Sequence, residues 1–169
     1  ARGFSEPGAS EPLVATALAG GYRAKARVAT KLPSWLVSTR ADMDRFLDLQ
    51  LKRLQTSCID FYLIHTLNAR YWEVMQQADM AGFLDEARKD GRIRHAGFSF
   101  HDRFPVFQDI VGGYDWDFAQ IQYNYLDQAY QAGTEGVQLA ARKGLGLVIM
   151  EPLRGGFLIN QMPEGLRAH

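Results

Sequence analysis

Short apolar runs in this sequence end in side chains that can bind polar groups or move protons. Lys31 follows Val28, Ala29 and Thr30; His65 closes Phe61 to Ile64; Ser99 and His101 follow His95 to Phe98; Gln120, Gln122 and Asn124 share one run; Glu151 and Pro152 end the last. An ammonium at the end of a buried run is costly to desolvate and calls for a partner. The plain alternative for Lys31 is a side chain snorkelling to the surface, and for His65 a hydrogen-bonded core imidazole. Placed on neighbouring strand ends, the two can bracket a small carbonyl, the charge lowering a neighbour's pKa and the imidazole donating to the oxygen. Neither is a hydride source, so hydride chemistry here requires a cofactor. His65, His101 and Cys58 lack spacings such as H-E-x-x-H or C-x-x-C, so no metal site is expected.

The elements that must position these groups follow from periodicity. Apolar runs at Arg27–Lys31, Ile59–His65, His95–Phe100, Asp117–Gln122 and Gly146–Glu151 read as strands buried on both faces, and amphipathic stretches lie between them. Ser10 is expected to cap a first helix that ends at Gly20-Gly21, and Thr39 a second that runs through Leu54 with Met43, Phe46, Leu47, Leu51 and Leu54 on one face. Further helices are expected over Phe83–Lys89 with a stop at Gly91, from Asp102 or Arg103 to Val111, and over Ala132–Arg142 with Gly144 after it. Strand-helix alternation makes this an α/β chain, either an open doubly wound sheet or a closed barrel. No G-x-G-x-x-G follows the first strand, which weakens the open-sheet reading.

The whole of residues 1–169 is expected to be one domain. Lysine plus arginine equals aspartate plus glutamate at 19 each, so no electrostatic footprint for nucleic acid or an anionic membrane is present. No apolar stretch of about 18 residues exists, so no membrane span is expected. The one cysteine, Cys58, is expected to be a small buried hydrophobe, and without a disulfide framework a cytoplasmic setting is the default. Trp35, Trp72 and Trp116 are expected at the core or the rim, Gln122 to Tyr125 as a polar rim, and Asp85 to Asp90 as a solvated helix face.

Four segments carry a resemblance: Val28–Pro33 (VATKLP), Ile59–His65 (IDFYLIH), Gly91–Ser99 (GRIRHAGFS) and Glu151–Gly156 (EPLRGG). In that order and spacing they resemble successive motifs of the aldo-keto reductase superfamily, in particular the bacterial and archaeal predicted-oxidoreductase branch, some members of which carry a C-terminal iron-sulfur segment. The resemblance implies a (β/α)8 TIM barrel, of which this chain would hold about five central strand-helix units, without the first strands and the last unit. It implies NAD(P)H-dependent reduction of a small-molecule aldehyde or ketone, with NADP(H) as cofactor. Lys31 matches the lysine that lowers the pKa of the acid tyrosine, and His65 the histidine that orients the carbonyl. Ser99 and Gln120 match groups that hydrogen-bond the nicotinamide carboxamide, Met150 stands where an aromatic stacks on the ring, and Pro152 and Leu153 fall in the cofactor-binding run.

Two departures qualify this reading. Residues 1–9 hold neither the aspartate nor the tyrosine of the pattern, whose tyrosine position falls near Ser5, and Phe100 replaces a frequent asparagine. A non-catalytic nucleotide-binding or scaffold relative is therefore the second hypothesis, and an open-sheet α/β protein with unrelated chemistry the third.

Overall fold

The computed structural model describes residues 9–160. Five parallel strands, β1 (Ala29–Leu32), β2 (Ile59–Leu67), β3 (Ile93–Phe100), β4 (Phe118–Gln122) and β5 (Gly146–Met150), form one sheet in chain order. An open doubly wound sheet reverses direction at a switch point; here each strand lies beside its predecessor, as in the wall of a barrel. The helices are α1 (Ser10–Ala17), α2 (Arg40–Leu54), α3 (Ala69–Gln77), α4 (Met80–Lys89), α5 (Phe104–Gly112), α6 (Gly133–Lys143) and α7 (Phe157–Asn160), with single 3-10 turns at Tyr22–Lys25, Ser34–Leu36 and Arg154–Gly156. No helix among the described residues is long and apolar enough to cross a membrane.

Thr39 caps α2 as expected: its hydroxyl accepts from the Asp42 N–H at 3.3 Å, and the Asp42 carboxylate accepts from the Thr39 N–H at 3.0 Å. Ser10 is not a cap. It is the first helical residue of α1, and Ala9 takes the cap position with no side-chain bond. Residues 68–82 fall outside the elements expected from periodicity, yet Asn68 caps α3 through the Tyr71 N–H at 2.9 Å and Asp79 caps α4 through the Gly82 N–H at 3.3 Å. Asp79 itself is left-handed (φ 57°), a kink that splits one helical periodicity into two short helices. Strand ends also shift: β1 begins at Ala29, β3 begins at Ile93, and β5 stops at Met150 because Glu151 turns left-handed (φ 52°). The run at Asp85 to Asp90 is not merely solvated. Arg88 pairs with Asp117 at 2.5 Å, Glu86 with Arg40 at 2.6 Å, and Asp85 accepts from the Tyr114 hydroxyl at 2.8 Å.

The sheet has two unlike faces, because side chains alternate along each strand. Leu32, Tyr62, Ile64, Phe98, Phe100 and Ile121 point to the helices and are fully buried among Met43, Leu47, Phe83 and Phe107. Lys31, Phe61, Leu63, Phe118, Gln120 and Val148 line a concavity of about 330 Å³ on the other face. Two aspartates at the N-terminal ends of the strands fix the register. Asp60 accepts from the Val28 N–H at 2.9 Å and is ringed by Arg23, Arg27 and Arg94. Burial would raise its pKa, but the Val28 N–H, Arg23 and Arg27 outweigh that and hold the carboxyl below its ordinary value. Asp117 does the same one step along, accepting from the Ala96 N–H at 2.7 Å.

At the other end of β1 a buried relay holds the strand to α2. The Tyr62 hydroxyl donates to Gln50 Oε1 at 2.9 Å, and Gln50 Nε2 donates to the Lys31 carbonyl at 2.8 Å. Burial drives the Tyr62 pKa well up, so the phenol stays a neutral donor. Tyr62→Phe leaves Gln50 Oε1 without its partner and is expected to lower stability by about 1–3 kcal/mol in urea unfolding; an unchanged midpoint would count against the relay.

Candidate active site

The ladder brings the chemistry-bearing residues to one end and one face. Lys31 pairs with Leu63 and Leu63 with Gly97, while Ser99 pairs with Gln120, Gln120 with Val148, and Gln122 with Met150. Gly97 admits the Phe118 ring, which would lie 2.6 Å from a Cβ placed there.

Lys31 and His65 share a second concavity of about 870 Å³ with Trp35, Gln50 and Phe46. Lys31 lines this cleft and also the Gln120 concavity, so the two spaces meet at its side chain. Among the described residues Lys31 has no carboxylate within 4.0 Å, so the partner expected from burial is not found among them; desolvation lowers its pKa. His65 is fixed from both sides. Its carbonyl accepts from the Ser34 hydroxyl at 2.6 Å, and the next N–H, of Thr66, donates to Ser99 Oγ at 2.7 Å. Thr66 is left-handed (φ 56°), at an irregularity in the β2–β3 ladder, a conformation that persists only where neighbours impose it. The Trp35 ring, 48% exposed, lies 5.1 Å from the imidazole between centroids. Trp72 and Trp116 are buried, as core residues should be.

Burial, then the Lys31 charge, then His101 push the His65 pKa down to about 4. Burial also lowers that of His101, with Glu151 opposing and Lys31 adding. Both imidazoles are therefore neutral at pH 7, and His65 can offer an N–H without carrying charge.

Ser99 is 1% exposed and, having accepted from Thr66, keeps its own proton to donate. Gln120, its cross-strand neighbour, holds a buried Oε1 with no hydrogen-bond partner among the described residues. A donor beside an unspent acceptor complements a primary carboxamide. Met150 is half-buried, while Pro152 and Leu153 lie exposed on the loop after β5. Two residues without a signal in the sequence join the strand ends: Ser34, which holds the His65 carbonyl, and Asp127, which forms a cluster with Asn124 and Arg154. Asn124 is a buried tie between loops rather than a polar rim. The position near Ser5 lies outside the described residues. Cys58 is partly exposed rather than fully buried. No three His, Cys, Asp or Glu side chains among the described residues converge on a metal position; the C-terminal iron-sulfur segment that the resemblance allows would lie outside these residues and finds no support.

The parallel wall with polar strand ends at its C-terminal rim is that of a (β/α)8 barrel, here about five consecutive units of it. The aldo/keto reductase family profile matches residues 4–169, and the chain belongs to that family. It is 28% identical over 130 residues to aldo-keto reductase yakc [NADP(+)] of Schizosaccharomyces pombe, covering 73% of this chain and 37% of that one. Aldo-keto reductase AKR11C1 of Bacillus halodurans, in its holo form, superposes with a TM-score of 0.73 at 26% identity over 86% of this chain and 47% of its own. A Klebsiella pneumoniae aldo-keto reductase in complex with NADPH shares the fold, with a TM-score of 0.69 at 22% identity over 95% of this chain and 53% of its own. The chain thus spans about half the length of these solved relatives and less of the curated one.

A histidine depressed in the folded state gains its proton first in the unfolded chain, so stability is lost as pH falls from the ordinary 6.5 towards 4. In a proton NMR titration the His65 ring is expected to titrate near 4. Lys31→Met should move that midpoint upwards, and a midpoint at the ordinary value would remove the basis for a neutral His65.

Proposed function

We propose that the protein is an NADP(H)-dependent oxidoreductase that reduces an aldehyde or ketone to an alcohol. The observation that carries this reading is the buried, unpartnered Gln120 Oε1 beside the Ser99 hydroxyl, on the face that also holds Lys31 and His65. Ser99 would donate to the carboxamide oxygen of the nicotinamide and Gln120 would accept from its amide nitrogen, while Met150, Pro152 and Leu153 lie along the same rim. The cofactor, when bound, supplies the hydride. His65, neutral and held by Ser34 and Ser99, donates to the substrate oxygen and so fixes which face of the carbonyl is presented. Lys31 sets a positive charge near that oxygen, where negative charge develops, in a setting drier than bulk water. The proton donor of the family pattern belongs near Ser5, outside the described residues. We further propose that the five units form part of one barrel domain, that the substrate is a small molecule entering beside Trp35, and that the protein acts in the cytoplasm.

The test uses the full-length protein, NADPH and a panel of small aldehydes, followed by loss of reduced-nicotinamide absorbance. Lys31→Met and His65→Ala are each expected to lower kcat by about 10²-fold or more while NADPH still quenches protein fluorescence. Turnover that survives both substitutions would remove their roles. Nucleotide binding without turnover on any carbonyl would instead support a non-catalytic nucleotide-binding relative.

A further inference from the structure

β2 gains a residue where it reaches His65. Ile64 pairs with Phe98 and Leu67 with Phe100, so three steps along β2 match two along β3, and His65 and Thr66 together stand opposite Ser99. That is a bulge, and one extra residue reverses the alternation of the strand beyond it. Phe61 and Leu63 line the concave face while Tyr62 and Ile64 lie among the helices, so plain alternation would send Leu67 to the concave face. Leu67 is instead fully buried in the helix-side core. His65 stays in the cleft of Lys31, and the extra residue is Thr66.

Threonine is an unfavourable residue to place there. Its φ of 56° is left-handed, and a β-branched side chain is a poor occupant of that region, which glycine fills in bulges of this kind. Thr66 lines neither the Lys31–His65 cleft nor the Gln120 concavity, so it acts on the site through its backbone.

Hydrogen bonds on both sides carry the strain. Towards β3, the Thr66 N–H donates to Ser99 Oγ at 2.7 Å, and regular pairing resumes with the His101 N–H on the Leu67 carbonyl at 3.0 Å. Towards β1, the Phe61 N–H donates to the Val28 carbonyl at 3.0 Å, and the spacing of parallel rungs makes Ser34 the donor due at the His65 carbonyl. β1 has ended at Leu32 by then, and the Ser34 hydroxyl supplies that bond at 2.6 Å. Ser34 and Ser99 are each 1% exposed, so both hydroxyls work away from water. The His65 carbonyl and the Thr66 N–H belong to one peptide unit, so two serines from the two neighbouring strands hold a single peptide plane from opposite edges.

We propose that Thr66 is a positioning residue for the reaction: as the left-handed residue of the bulge it fixes the peptide plane next to His65, and with it the direction in which the imidazole meets the substrate oxygen. This rests on the carbonyl-reduction reading given above. A left-handed threonine pinned by two buried hydroxyls has one conformation, whereas glycine at 66 would admit several and the imidazole would lose its single aim.

The experiment compares Thr66→Gly with Thr66→Asn in the full-length protein. Glycine removes strain and constraint together; asparagine keeps a Cβ and tolerates the left-handed state. In Thr66→Gly, relief of strain opposes the greater freedom of the unfolded chain, so the urea midpoint is expected to hold or rise. Turnover of whichever aldehyde the unsubstituted protein reduces fastest is expected to fall about tenfold in kcat. NADPH affinity, read by fluorescence quenching, should stay within about twofold. The His65 ring, freed from its buried pose, should titrate above the value near 4. Thr66→Asn should keep kcat within about threefold and leave the titration unmoved. A residue that only supports the fold would lose stability and turnover together. The positioning role is overturned by equal losses in the two variants, by a glycine variant with unchanged kcat and His65 titration, or by lost turnover that tracks a fall in urea midpoint and NADPH affinity. If the unsubstituted protein reduces no aldehyde, the carbonyl-reduction reading fails, and the titration, which needs no turnover, decides whether Thr66 sets the imidazole.

Discussion

The parallel ladder is the constraint on which the site depends. Side chains alternate with a period of two, so a slip of one residue in any strand would send Lys31, His65 or Gln120 into the helices and turn core residues such as Leu32 or Ile121 outwards. Backbone pairing alone tolerates such slips. Here they are opposed by groups that recognise one N–H each: Asp60 that of Val28, Asp117 that of Ala96. The Asp60 carboxylate is buried and still charged, so losing its N–H or its arginines would be costly. With the strand starts fixed in this way, the polar residues at the strand ends fall into ordered rows.

Electrostatics at the rim follow from that placement. Lys31 is half-buried at the junction of two concavities, and its charge reaches two imidazoles. A cation flanked by neutral donors suits an oxygen that gains negative charge only during reaction. A second cation on His65 would bind anions at rest and gain nothing at the transition state. Burial and the lysine act in the same direction, and both follow from the strand end on which His65 sits.

Much of this was legible in the sequence, and the reasons are local. A strand announces itself by a short apolar run, so Lys31, His65, Ser99 and Gln120 could be placed at strand ends from composition and order. Caps with a reciprocal partner, such as Thr39 with Asp42, were readable for the same reason. What escaped depends on long-range contacts or on backbone states without a composition signal. The left-handed Asp79 hides the break between α3 and α4, and Thr66 takes its conformation only because Ser99 waits on the next strand. Asn124 and Arg154 read as rim and glycine-run residues until folding brings β4 and β5 side by side. A lone arginine before two glycines says nothing of the aspartate it will meet. The orphaned Gln120 oxygen is likewise a property of surroundings, not of residue type.

The two aspartates that fix the register stand at the N-terminal ends of the strands, and the candidate site residues Lys31, His65, Ser99 and Gln120 stand at the C-terminal ends. Fold maintenance and the candidate site therefore rest on separate populations of residues about a strand's length apart. In such an arrangement inheritance can rework one rim without disturbing the other. Lineages that diverge in what they process should vary in the loops that follow Lys31, Ser99 and Asn124, while the opposite rim drifts slowly under selection for abundance alone.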